Sequence, residues 1–259
     1  MAEGGSAVDR DPLRLADDLI AAFEKLRTRS DGITSRPKVA PLRLVMAYGL
    51  AAQAHDVGQD AVRAIRDGRY GAAPPLTRVV FECGVTAQWL VIEPEAATAM
   101  AAEAHRQRIA LAGTMAKTQR FLRHAESVRV SAGPAPPPQS VSSKNFEKVC
   151  AQVDPAGDLY VMYRTLSADA HAGAPIIHRW IGESGDPPVL GWRPTPTDLL
   201  LSERTILGST LALSLLWAAA GFDQMVKGRP LVRTVNTVSA KLGYAGTTGV
   251  HQLVLPPRR

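Results

Sequence analysis

The run Thr205–Phe222, TILGSTLALSLLWAAAGF, places 18 residues in succession without a charge. Such a segment either crosses a bilayer or is enclosed by other helices in a core. A spanning helix needs about 20 mostly apolar residues, and Gly208, Ser209, Thr210 and Ser214 dilute this one. The run therefore reads as a buried central helix with a bundle packed around it. The N-terminus, MAEGGSAVDRDPLRLADD, carries acids where a secretory signal requires a basic start and an apolar core. No such signal is expected, and the compartment to expect is the cytoplasm.

Composition agrees with a helical bundle. Hydrophobic residues are 46% of the 259-residue chain and charged residues 21%, which is too apolar for a disordered polymer. Aromatics are only 5% and alanine is abundant, which favours Ala/Leu-packed helices over β-sandwiches. Two cysteines, Cys83 and Cys150, are too few for a disulfide scaffold or a cysteine-based zinc site. The fold class is all-α: a helical bundle with long antiparallel helices, a Pro-rich loop and a small irregular excursion.

Local signals divide the chain. Asp11-Pro12 caps and opens a helix to about Arg29, stopped by Ser30-Asp31-Gly32. Pro41 opens a second helix, ended near Arg66 by Asp67-Gly68. Pro74-Pro75 introduces a third, in which Leu76, Val79, Val80, Cys83, Ala87, Leu90 and Val91 follow helical periodicity up to Glu93-Pro94. Pro94 then starts one long helix to about Ser127. Residues 131–143 form the Pro-rich loop, and short helices follow near 143–152 and from Gly157 to about Ala172. Residues 173–196, rich in Gly and Pro, read as an irregular excursion with room for a small hairpin. Thr197-Asp198 caps the last long helix, which stops at Gly228-Arg229-Pro230. Residues 1–230 thus form a single bundle with one long crossover, and 231–259 a loosely ordered basic tail.

One constellation points to chemistry. In GDLYVMYRTLSADAHAGAP, residues Leu159, Met162, Tyr163, Leu166 and Ala170 make an apolar stripe. Tyr160, Arg164, Ser167 and His171 make a second, polar one. On a continuous helix Arg164 and His171 differ by about 20° around the axis. Arg clamps phosphate oxygens with fixed, permanently charged donors, and His exchanges a proton near neutral pH. With RNA the ribose 2′-hydroxyl supplies the nucleophile, so this pair requires neither cofactor nor metal, and none is expected.

Arg164-Thr-Leu-Ser-Ala-Asp-Ala-His171 resembles the R-x(4–6)-H pattern of the HEPN superfamily. Those are small all-α domains, many of them metal-independent ribonucleases of toxin–antitoxin and antiviral defence systems. The resemblance implies catalysis by Arg164 and His171 across a homodimer. The position after the Arg, commonly Asn, Asp or His there, is Thr165 here. A second resemblance joins Arg78-Val-Val-Phe-Glu82 and Trp89-Leu90 to the later helix with Ser167 and His171. It covers residues 40–225 and is to an uncharacterised bacterial family, helical, abundant in actinobacteria and without assigned activity. It implies a shared polar core of Arg78, Glu82, Ser167 and His171.

Two functional classes remain open. Arg164 and His171 form a catalytic site supported by Tyr160, Ser167, Arg78 and Glu82, or the same residues are a buried network that fixes helix register in a non-catalytic interaction protein. Arg78 and Glu82 have the i, i+4 spacing of an ordinary intrahelical ion pair. No Glu-x-x-His di-metal signature, P-loop, dinucleotide fingerprint or nucleophile elbow occurs. Cys83 reads as core, and His55-Asp56 as a surface or helix-end pair. His178-Arg179-Trp180 reads as a loop whose Trp covers the bundle end. The net charge of +6 is uneven: Arg106, Arg108, Lys117, Arg120, Arg123 and Arg129 face only Glu126, and no acid follows Asp223. These residues are either a solvated helix face and basic tail or a patch that tracks a phosphate backbone, in which Arg106, Lys117, Arg120 and Arg123 are the candidate contacts of a nucleic-acid partner, expected to be RNA.

Overall fold

The computed structural model describes residues 11–29, 32–69, 71–171, 177, 180–184, 189–192 and 201–243. Among them the chain forms α1 (Pro12–Arg27), α2 (Pro41–Arg66), α3 (Ala73–Ile92), α4 (Ala96–Met115), α5 (Leu122–Ala132), α6 (Phe146–Val153) and α7 (Asp158–Ala168). A two-stranded antiparallel hairpin follows, β1 (Ile181–Ser184) with β2 (Val189–Trp192), registered Ile181 against Trp192. Two helices, α8 (Leu201–Asp223) and α9 (Val232–Lys241), complete the described fold. It is an all-α bundle with one small hairpin in the excursion.

Local chemistry sets several of the helix starts. Asp11 accepts from the Leu13 amide at 3.1 Å and Pro12 occupies the first turn. Pro41 opens α2, and Asn145 caps α6 by accepting from the Glu147 amide at 3.0 Å. At the far end of α3 the Arg43 guanidinium of α2 donates to the carbonyls of Leu90 and Val91, which no residue further along the helix can reach.

The uncharged run lies at the centre. The window Arg204–Asp223 is long and apolar enough to cross a membrane, and 78% of it is buried inside the protein. Leu211, Leu215, Leu216, Trp217 and Phe222 are sealed against α1, α2 and α3. Phe23 and Tyr48 set their rings against Phe222, and Gln88 donates to the Trp217 carbonyl at 2.7 Å. Contacts pair 13 with 208 and 23 with 222, and 84 with 214 and 88 with 217. So α8 runs parallel to α1 and α3, whereas α2 opposes them, as the Arg66–Asp17 and His55–Phe23 contacts require. The expected long antiparallel helices are found in α2 against α1, α3 and α8, and α8 lies parallel to α1 and α3 because the crossover through α4–α7 returns the chain to the end where α3 began. At the α3–α8 crossing both helices present glycine: a Cβ on Gly84 would stand 2.5 Å from the Ser214 carbonyl oxygen, and one on Gly221 2.8 Å from that of Ala87.

Three expectations are corrected. The single helix from Pro94 to Ser127 is instead a helical hairpin: α4 stops at Met115, Thr118 is extended, and a 3-10 turn Gln119–Phe121 leads into α5. Pairing of His105 with the Ala132 carbonyl at 3.2 Å, and burial of Ala112 and Ala125, set α5 antiparallel to α4. Alanine lets the two backbones approach closely, a preference that periodicity does not register. The tail is ordered at its start: α9 buries Val235 and Val238, packs on α1 and α8, and is anchored by Asp223. Asp223 is fully buried and accepts from the Leu231 amide at 2.7 Å and the Arg229 guanidinium at 3.1 Å. His55 is no surface residue. It is buried and stacked on Phe23 with centroids 4.3 Å apart. Ser30-Asp31, His178-Arg179, Thr197-Asp198 and the tail beyond Gly243 lie outside the described residues.

Candidate functional site

Helix α3 is buried around most of its circumference, but Arg78, Val79 and Glu82 fall on the side left open between α6 and α7. Arg78 and Glu82 are one turn apart, and Arg78 Nε donates to Glu82 Oε1 at 2.9 Å. Helix α7 crosses this side and offers Tyr163, whose hydroxyl accepts from Arg78 Nη2 at 2.9 Å. The guanidinium carbon also lies 5.0 Å from the Tyr163 ring centroid, a cation–π distance. Phe146 of α6 packs on the same ring at 4.8 Å, and Tyr160 stacks on it at 5.9 Å.

His171 completes the cluster, though not from the position the sequence implies. Helix α7 ends at Ala168, so His171 follows the helix rather than extending its polar stripe. An acid at 169 opposes the negative end of the helix, and Gly173 and Pro175 stand just ahead, so a further turn is disfavoured. The helical alignment of Arg164 with His171 is therefore lost. The chain turns His171 toward α3, where its Nε2 lies 2.9 Å from Arg78 Nη1. A guanidinium can only donate, so Nε2 is the acceptor: the imidazole in this contact is neutral, with its proton on Nδ1. All three Arg78 nitrogens are thus engaged, by Glu82, His171 and Tyr163.

The other candidates divide. Arg164 is exposed and makes no hydrogen bond or ion pair among the described residues. Ser167 donates to the Tyr163 carbonyl at 2.7 Å and so serves its own helix. Tyr163 is the contact that sequence reasoning missed. It lies on the apolar stripe, and its hydroxyl is the signal that sets it apart from Leu159 and Leu166. Cys83, beside Glu82, is buried, and burial with the neighbouring carboxylate pushes its thiol up to about 12. It is a core residue rather than a nucleophile.

The basic residues lie on the α4–α5 arm rather than along one helix. Arg106 is paired with Glu103, Nε donating to Oε2 at 2.7 Å, and Arg129 with Glu126 at 3.4 Å. Arg108, Lys117, Arg120 and Arg123 are exposed and have no acidic partner among the described residues. Arg120 lies 5.9 Å from the ring centroid of the exposed Phe121. Among the described residues no group of three or more His, Cys, Asp or Glu is gathered in a way that would hold a metal ion.

A family model matches residues 44–187, more than half of the chain, and describes a family of unknown function, DUF5677. The chain belongs to the DUF5677 family. The matched stretch contains the whole Arg78–Glu82–Tyr163–His171 cluster and the α4–α5 arm, whereas α1, α8 and α9 lie outside it. A family of unknown function agrees with the second of the two likenesses read from the sequence. Nothing in the DUF5677 match connects this chain with HEPN proteins. No curated protein and no solved structure matches the chain.

Proposed function

We propose that this protein acts on RNA in the cytoplasm, as a homodimer, and cleaves it without a metal ion. The observation that carries the reading is the exposed His171 imidazole with its Nε2 lone pair held 2.9 Å from Arg78. A phosphate oxygen is a stronger acceptor for a guanidinium than a neutral imidazole is. An RNA phosphodiester entering beside Arg78 draws that N–H away and frees Nε2 for the proton of the adjacent ribose 2′-hydroxyl. The 2′-oxygen then forms a bond to phosphorus and the bond to O5′ breaks. The products are a 2′,3′-cyclic phosphate and a 5′-hydroxyl, whose proton comes from solvent. Tyr163 and Glu82 hold Arg78 in place for the phosphate.

The test is cleavage of RNA with and without EDTA. His171→Ala should lower the rate by at least about a hundredfold, leaving the circular dichroism and melting temperature unchanged. A parent protein that cleaves no RNA would sink the reading.

A second reading is favoured by the three contacts that Arg78 makes within the protein. With every nitrogen engaged, the cluster works as a clasp between α3 and α7 in a non-catalytic interaction protein. Under that reading His171→Ala lowers the melting temperature, and no variant affects any RNA.

The arm gives an independent check. Replacing Lys117, Arg120 and Arg123 together by Ala should weaken binding to RNAs of any sequence. It should also flatten the plot of log affinity against log salt by about 2 to 3. An unchanged salt slope would remove the arm from the interface.

A further inference from the structure

We propose that the groove between α3, α4 and α6 binds the RNA base next to the scissile phosphate and selects bases that present an exocyclic amino group. This rests on the RNA reading above and assigns that site its specificity. The groove is open to solvent and offers about 320 Å³, at the small end of small-molecule sites. Its floor is apolar, with Val79, Met100, Phe146 and Val149, and suits the face of a planar ring. It is continuous with the Arg78–His171 cluster at two points. Glu82 lines the groove and holds Arg78 at 2.9 Å, and Phe146 lines it and packs 4.8 Å from the Tyr163 ring.

The polar rim decides what fits. Glu103 is fully engaged: both its oxygens accept from Arg106 and one also from Gln107 at 2.9 Å, and this bonding, Arg106 foremost, holds its carboxyl below the ordinary range. Glu82 Oε2, the Gln107 amide oxygen and the Thr86 hydroxyl remain without a partner among the described residues. The first two can only accept, so the complementary edge is one that donates. Cytosine and uracil have the same ring size but differ there: the cytosine N4 amino group offers two N–H donors to the pair of acceptors, whereas uracil offers only N3–H, flanked by carbonyl oxygens that an acceptor repels.

The test compares initial cleavage rates on poly(C) and poly(U), with calorimetric titration of CMP and UMP, for the parent chain, Gln107→Leu and Glu82→Gln. Gln107 is on α4 and makes no contact with Arg78 or His171, so its variant separates base selection from the cluster; Glu82→Gln is a second probe should the first fail to fold. The parent should cleave poly(C) at least about tenfold faster than poly(U). The ratio should shrink to within about threefold in each folded variant. Cleavage of both polymers at one rate, or a preference that survives both substitutions, overturns the groove and leaves the ribonuclease standing. CMP bound in preference to UMP with neither polymer cleaved overturns the ribonuclease and keeps the groove. Neither cleavage nor CMP binding overturns both.

Discussion

Gly84→Ala should lower the stability of the bundle by about 2 to 3 kcal/mol. The added Cβ would stand 2.5 Å from the Ser214 carbonyl oxygen, 3.2 Å from its carbonyl carbon and 3.3 Å from its Cα. All three are backbone atoms of the central helix, so no side chain can rotate away and α3 must move off α8. That movement opens the contacts of Val80, Ala87, Trp217 and Ala218, which are buried in the same core. Alanine recovers up to about 1 kcal/mol of helix propensity, so the observed loss is what remains after that gain. Gly49 isolates the propensity. It lies in α2 with nothing within 4 Å of the place a Cβ would take, and Gly49→Ala should be neutral or stabilising by up to about 1 kcal/mol. Urea unfolding decides the matter: the midpoint should fall in Gly84→Ala and not in Gly49→Ala, with the slope unchanged. A Gly84→Ala protein as stable as its parent would contradict close packing of α3 on α8.

Acidification should destabilise the fold through His55. Its Nδ1 donates to the Ala51 carbonyl at 2.6 Å, Phe23 covers one ring face, and Nε2 is buried without a partner. Burial disfavours the charged ring and lowers its pKa from 6.5 to about 4. The unfolded chain therefore binds a proton between about pH 6.5 and pH 4 that the folded chain refuses, so stability falls with pH across that window. The loss approaches about 3 kcal/mol near pH 4 and vanishes above neutrality. Asp223 acts in the opposite sense. Burial raises its carboxyl, so the folded state takes up that proton first and gains stability as pH falls. Comparing the parent with His55→Leu at pH 7 and pH 4.5 separates the two. The variant should lose less stability on acidification, and parallel curves would refute the assignment.

The sequence was informative wherever a local rule acts. Pro41 and Arg66 bound α2 as expected, and Asp11-Pro12 starts α1. A run of 18 uncharged residues has no stable place in a bundle except at its centre, and it is found there. Arg78 with Glu82 was legible as an i, i+4 pair, and His171 as a polar residue that the apolar stripes leave over.

The rest depends on contacts between segments far apart in the chain. Alanine at 112 and at 125 carries no local sign that the two will meet and fold α4 back on α5. Burial of His55 requires Phe23 from another helix, and burial of Val235 and Val238 requires α1 and α8. Most of all, the sequence offers Arg164 as the partner of His171, seven positions away on an extrapolated helix. The structure instead supplies Arg78, 93 residues earlier. Helix periodicity ranks neighbours within one element only. Which guanidinium reaches the imidazole is settled by where α7 stops and how it crosses α3, and both are outcomes of packing.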